Sequence, residues 1–285
     1  MPQHQSPRRV PSPTGGTWPV RFGTAELVRD LDRPAGWMLL VDSTPQSYLD
    51  LADPEHLEFD YVRLLADVVD AGSRSGLPLS VVHLGGGACT LARWVAARRP
   101  GSTQIVVEAD DLLAEVIRAQ FGTDGFRLRV GDGRAALSHL QPAASDVVVG
   151  DVFVGAQVPS HMATIEHVRQ VAGLLKPTGT YVVNLADSGA LGYLRQQVAT
   201  MQAVFSDVAL LGEPGVLRGR RFGNVVLAGS QLPPELELLR RWTAGAMGRA
   251  RVVAGTDLVD FAAGTRPATD AEPPVAPTPP PGLFR

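Results

Sequence analysis

Apolar runs of a few residues, each closed by a glycine or an acid and followed by a helix-spaced stretch, recur from Leu79 onward. Such runs fit strands buried on both faces. They fall at 79–84, 103–108, 126–130, 145–151 and 179–185, with helical spacing at 89–99, 110–121, 133–140, 160–175 and 189–204. Regular alternation of strand and helix predicts a parallel sheet with helices on both faces. Two further strands, 206–212 and 223–230, are joined through Gly212-Glu213-Pro214-Gly215 with no helical stretch between them, which predicts an antiparallel pair at one sheet edge. Upstream, Phe59, Val62, Leu65, Ala66 and Val69 mark a helix running to about residue 74. Ahead of it, 24–31, 37–42 and 46–50 read as short strands of a small antiparallel β unit. So few strands do not stand alone and must pack on a neighbour. A last helix is expected over 235–245.

Composition adds the outer boundaries. Residues 1–18 are rich in Pro, Ser, Gly and Gln and are expected to be a disordered lead. The expected organisation is then a β unit over 19–58, a catalytic domain over 59–262, and a Pro-rich disordered tail over 263–285. The chain is 45% hydrophobic and 19% charged, enough for an ordinary core. Its net charge of −3 argues against a nucleic-acid partner. No apolar run approaches the ~18 residues of a membrane span, and no apolar segment of a secretory signal follows the N-terminal arginines. The single cysteine, Cys89, rules out an intrachain disulfide and a four-cysteine zinc site, and suits a reducing, cytoplasmic setting. The six histidines lack metal-ligand spacing, so no metal is expected. No Gly-x-Ser-x-Gly elbow marks a serine hydrolase.

The candidate chemistry starts at Gly85-Gly86-Gly87, between the strand at 79–84 and the helix at 89–99. Glycines let a ligand approach the main chain, and a helix start presents unpaired N–H groups. At the carboxyl end of a strand in an open α/β sheet, this is where a nucleotide-type ligand sits. The string is neither G-x-G-x-x-G nor a P-loop, so by itself it is equally a tight turn. Glu108 closes the second strand about 20 residues further on, where such sites place a ribose-binding acid. The alternative for Glu108 is a helix-start acid. Asp132 and Gly133 follow the third strand, either facing an adenine or capping a helix. Asp151 ends the fourth strand, beside the glycine turn. A carboxylate there can accept the proton of an attacking amine, or orient that amine. Cys89 reads best as a small buried residue of the turn.

Together these residues resemble the spermidine synthase (polyamine aminopropyltransferase) family over roughly residues 20–230. The likeness rests on Gly85-Gly86-Gly87, Glu108, Gly131-Asp132-Gly133, Asp151, the run Val158-Pro159-Ser160-His161, and Leu174-Leu175-Lys176-Pro177-Thr178-Gly179. Asp42-x-x-x-Gln46 and Phe59-Asp60-Tyr61 extend it. The resemblance implies a class I S-adenosylmethionine-methyltransferase-like, Rossmann-like fold behind the β unit. It implies decarboxylated S-adenosylmethionine, or S-adenosylmethionine itself, as co-substrate, a small amine as acceptor, and a homodimer or homotetramer. By the same likeness Gln46 touches the donor, Glu108 binds its ribose, Asp132 and Gly133 face its adenine, Tyr61 lines the acceptor pocket, and Asp151 takes the proton. The chain departs from the family pattern in three places. Ala88 replaces an aspartate that holds the donor's aminopropyl ammonium, Val154 an acid that clamps the acceptor, and Val62 a polar residue after the tyrosine. Two lost charge-assisted bonds, at about 1.5–3 kcal/mol each, would weaken handling of a diamine by orders of magnitude. The alternatives are therefore a methyltransferase or a non-catalytic nucleoside-binding relative.

Overall fold

A computed structural model describes residues 12–71, 76–232, 239 and 250–280. The expected helix over 235–245 lies outside the described residues, Leu239 excepted.

The N-terminal unit is a four-stranded antiparallel meander: β1 (Gly16–Val20), β2 (Gly23–Arg29), β3 (Gly36–Val41) and β4 (Thr44–Asp50). β1 begins inside the stretch whose composition predicted a disordered lead. It is an edge strand, where Pro19 can stand without a ladder donor. The inner face of the meander, with Leu27, Trp37 and Leu39, packs on Ala88, Ala92, Val106 and Ile117 of the main domain. The unit is also pinned directly to the glycine turn. Thr90 Oγ1 donates to Tyr48 O at 2.8 Å, and Ala88 N donates to Ser47 Oγ at 3.1 Å.

Among the described residues the main sheet has eight strands. β7 (Arg127–Val130), β6 (Thr103–Glu108), β5 (Ser80–Leu84), β8 (Ser145–Gly150) and β9 (Leu175–Asp187) lie side by side in that order and pair in parallel. β11 (Gly223–Ser230) and β10 (Asp207–Gly212) follow as the antiparallel hairpin. A strand that the sequence pattern did not reveal, β12 (Arg251–Ala254), pairs outside β10 and forms that edge. The connection from β10 to β11 holds a one-turn helix, α7 (Pro214–Leu217), capped by Glu213. The other helices whose bounds fall among the described residues are α1 (Asp60–Ala71), α2 (Thr90–Arg98), α3 (Asp111–Phe121), α4 (Gly133–Leu137), α5 (Ile165–Leu174), α6 (Gly192–Gln202) and α8 (Thr256–Ala262). Strand order reverses at β5, whose neighbours are β6 and β8. That is where an open α/β sheet leaves a crevice at its carboxyl ends.

The Pro-rich tail was expected to be disordered, and the structure corrects this for residues 263–280. They run extended across α4, α5 and α6. Ile165 N donates to Ala268 O at 2.8 Å, and Ala268 N donates to Thr200 Oγ1 at 2.9 Å. Asp270 pairs with Arg134 at 2.6 Å, and Gln157 Nε2 donates to Ala276 O. Ala268 and Ala276 are buried in the domain surface. Proline fixes φ in advance, so ordering such a segment costs little entropy, and two small apolar plugs suffice to seat it.

α1 and α2 carry or flank the crevice, and a buried ion pair locks them together. Arg99, fully buried, donates to Asp70 Oδ1 at 2.7 Å and to Leu77 O at 3.2 Å. Asp70→Ala takes the carboxylate from a buried guanidinium and should lower the unfolding free energy by about 3–5 kcal/mol in urea titration. A loss under about 1 kcal/mol would show that the pair does not tie the two helices.

Candidate active site

Every candidate residue lies on a loop or helix start at the carboxyl edge of the parallel strands, or on the two elements that cover it. Gly85 leaves β5 with φ 91°, and a Cβ there would sit 2.0 Å from Asp151 O. No other residue allows this approach, and Asp151 N donates to Leu84 O at 2.8 Å across the same junction. Gly87, at φ 47°, clears the Ser47 hydroxyl. Cys89 follows in a left-handed conformation and is buried. Burial pushes its thiol up to about 12, so it is no thiolate nucleophile.

Glu108 reaches back over the turn. Its Oε2 accepts from Gly86 N at 2.8 Å and Gly87 N at 3.1 Å, and its Oε1 accepts from Asp110 N at 2.9 Å. Three of a carboxylate's roughly four acceptor positions are thus used by the protein, and Glu108 also lines the smaller cavity. Asp132 is the N-cap of α4, accepting from Ala135 N at 2.8 Å, and it pairs with His161 Nε2 at 2.8 Å. Gly133 borders the cavity and Asp132 does not.

Two cavities lie side by side, and Asp151 lines the smaller. The smaller, about 130 Å³, is lined by Gly85, Gly86, Gly87, Glu108, Gly133 and Asp151. The larger, about 790 Å³, lies between α1 and the strand ends and is lined by Phe59, Asp67, Trp94, Asn184 and Asn224 among others. Gln46 and Tyr61 border both. Of the three departures, Ala88 is fully buried in the cluster under the β unit and does not reach the cavity. Val62 is buried against the α1 core, and Val154 is half exposed at the smaller cavity's rim.

The arrangement around Asp151 is the most developed polar feature here. Asn184 Nδ2 donates to Asp151 Oδ1 at 2.9 Å, and the Tyr61 hydroxyl hydrogen-bonds to the same carboxylate. Asn224 Nδ2 in turn donates to Asn184 Oδ1 at 3.2 Å. Burial raises Asp151 from 3.8 to about 6, against the lowering pull of Asn184 and Tyr61. Burial and the neighbouring Asp151 charge push the Tyr61 phenol up, so it stays a donor. The asparagines went unread in the sequence, though Asn184 was a visible signal. It interrupts the apolar run Tyr181-Val182-Val183-Asn184-Leu185.

The site is thus a glycine-lined hollow bordered by Glu108, Asp110 and Asp151, beside a larger cavity with which it shares Gln46 and Tyr61. Among the described residues, no group of three His, Cys, Asp or Glu is placed to hold a metal. No described helix is long and apolar enough to cross a membrane.

No family model matches the chain. Over 132 residues it is 26% identical to a polyamine aminopropyltransferase of Vibrio vulnificus; the match spans 45% of this chain and 43% of that relative, less than half its length. A probable spermidine synthase from Corynebacterium glutamicum superposes with a TM-score of 0.85 and 32% identity, covering 91% of this chain and 97% of the other. A spermidine synthase crystallised with the transition-state analogue AdoDATO shares the fold, with a TM-score of 0.58 at 18% identity over 77% of this chain and 73% of that one.

The raised Asp151 has a consequence for stability. The unfolded chain ionises this acid near pH 4 and the folded one near pH 6. Its neutral form is the one folding favours, so its contribution is full below about pH 4 and is lost as pH rises through about 6. Asp151→Asn lacks that term. From pH 4 to pH 7 the wild type should lose about 2–3 kcal/mol of unfolding free energy relative to the variant in urea titrations. A pH-independent difference would mean that the carboxylate is solvated.

Proposed function

The chain belongs to the spermidine synthase family, and from that premise we propose that it transfers an aminopropyl group from decarboxylated S-adenosylmethionine to a small amine. The observation that carries the reading is Asp151, a buried carboxylate on the smaller cavity held by Tyr61 and Asn184 from the wall of the larger. A nucleoside fits the smaller side. The glycines remove side chains from its path, Glu108 retains an acceptor position for a ribose hydroxyl, and Gly133 leaves room for a ring. A spermidine synthase of the same fold was crystallised with the transition-state analogue AdoDATO, which supports a related donor here. Gln46, on both cavities, would contact the donor near the reacting carbon. The helix-cap geometry of Asp132 leaves the adenine contact to Gly133 and the backbone beside it.

In the reaction the acceptor nitrogen attacks the aminopropyl carbon bound to sulfur. The C–S bond breaks, its electron pair goes to sulfur, and neutral methylthioadenosine leaves. The nitrogen must be unprotonated to attack, and the ammonium it becomes has to shed a proton. Asp151 takes that proton, while Tyr61 and Asn184 hold the carboxylate toward the nitrogen.

A second reading, methyl transfer from intact S-adenosylmethionine, is favoured by Ala88. This position offers no carboxylate to bind an aminopropyl ammonium or repel a donor carboxylate. Incubation of the protein with each radiolabelled donor and a panel of amines separates the two. Aminopropylated amine and methylthioadenosine are the expected products. Methylated amine from S-adenosylmethionine alone would replace the reading, and tight methylthioadenosine binding without turnover would make the protein a non-catalytic binder.

Two substitutions test the residues. Asp151→Asn should lower turnover by about 10²–10⁴ with methylthioadenosine affinity little changed, and should remove the rise in rate through about pH 6. Unchanged turnover excludes Asp151 from the mechanism. Glu108→Gln keeps the size of the side chain but weakens its bonds to the turn and to a ribose. It should raise the methylthioadenosine Kd about tenfold or more by calorimetry. An unaltered Kd removes the ribose role.

A further inference from the structure

The larger cavity is lined by several charged side chains, and all but one have a hydrogen-bond or ion-pair partner among the described residues. Arg63 donates to Glu58 O at 2.9 Å, to Leu57 O and to Asp60. Glu58 lies 3.1 Å from His56 Nε2. Glu213 accepts from Arg221 at 3.0 Å and caps α7 through the amides of Gly215 and Val216. Asp67 is the exception. It borders the cavity from α1, and among the described residues it has no hydrogen bond and no ion pair. Burial raises it to about 6, and the Asp70 charge adds to the rise against the pull of Arg63.

A partly desolvated carboxylate without a partner is unfavourable until a cation reaches it. Its position says which cation. Asp67 lies six residues beyond Tyr61 on α1, about 9 Å further along the helix axis. Tyr61, which holds Asp151, and Asp67 both border this cavity, Tyr61 beside the proposed reacting centre and Asp67 further along α1. Phe59, Leu64 and Trp94 line it and suit a run of methylenes. Val154 offers no carboxylate from the loop after β8.

We infer that Asp67 is a specificity-determining residue that binds a second, distal ammonium of the acceptor. This inference rests on the amine-acceptor reading above. Within it, Asp67 decides between diamines and monoamines, while Asp151 serves the nitrogen that reacts.

The test uses the full chain saturated with methylthioadenosine. Calorimetry measures linear α,ω-diaminoalkanes of three to eight carbons, each beside the 1-aminoalkane of equal carbon number, on wild type and Asp67→Asn. The same amines are then assayed for transfer. Asp67→Asn removes a buried charge, so folding is retained, as its urea unfolding curve will verify. The wild type should prefer the best diamine over its monoamine by about 10–100-fold. The variant should lose that preference with monoamine affinity unchanged. A preference equal in both proteins, or absent from the wild type, overturns the Asp67 inference, and transfer to amines would still uphold the reaction. A preference that depends on Asp67 without transfer from either donor upholds the cation site and overturns the proposed reaction.

Discussion

The site depends on one close contact between two backbones, that of Gly85 at the end of β5 and that of Asp151 at the end of β8. The strands are parallel neighbours, so their carboxyl ends finish level, and the Asp151 amide closes the ladder on Leu84 O. The space where a Cβ would stand on Gly85 is filled by the Asp151 carbonyl. This fixes the main chain of Asp151 against the glycine turn. The side chain is then directed by Asn184 from β9 and Tyr61 from α1. Four elements distant in sequence converge on one carboxylate, and its pKa is raised because the convergence excludes water.

The parallel core was legible because its strands are buried on both faces and therefore read as continuous apolar runs. The strand tips were legible for the same reason, since a glycine or an acid ends each run. What escaped was set by partners rather than by local pattern. β1 contains Gly16 and Pro19 and reads as loop until an edge position makes the proline harmless. β12 is four residues long and has meaning only beside β10. The tail carries the composition of disorder, yet proline lowers the entropy that a groove must offset, and Ala268 and Ala276 find that groove.

Among the site residues, the sequence named the positions more reliably than the bonds. Glu108 and Asp132 each had a ligand role and a local role open to them. In the structure Asp132 is occupied by the α4 N-cap and His161, whereas Glu108 braces the glycine turn and still borders the cavity. The difference is one of direction. A strand-end acid facing its neighbour strand's turn remains beside the ligand space, and one that begins its own helix turns back on that helix. Asn184 was visible as a polar break in an apolar strand, but its purpose needed the register that sets β9 beside β8.

The electrostatics of the two cavities follow from this geometry. The loss of an acid at Ala88 and at Val154 does not leave the crevice without negative charge, since Asp151 and Asp67 remain, both raised to about 6 by burial. A raised carboxyl is a poor partner for water and a good one for a desolvated cation. A sulfonium nucleoside and a protonated amine would each bring positive charge to acids that are otherwise unfavourable as anions. In the proposed transfer the sulfonium charge would be lost and an ammonium formed on the other side of the migrating carbon. Asp151, on the smaller cavity and held by Tyr61 and Asn184 from the wall of the larger, would stand near both charges.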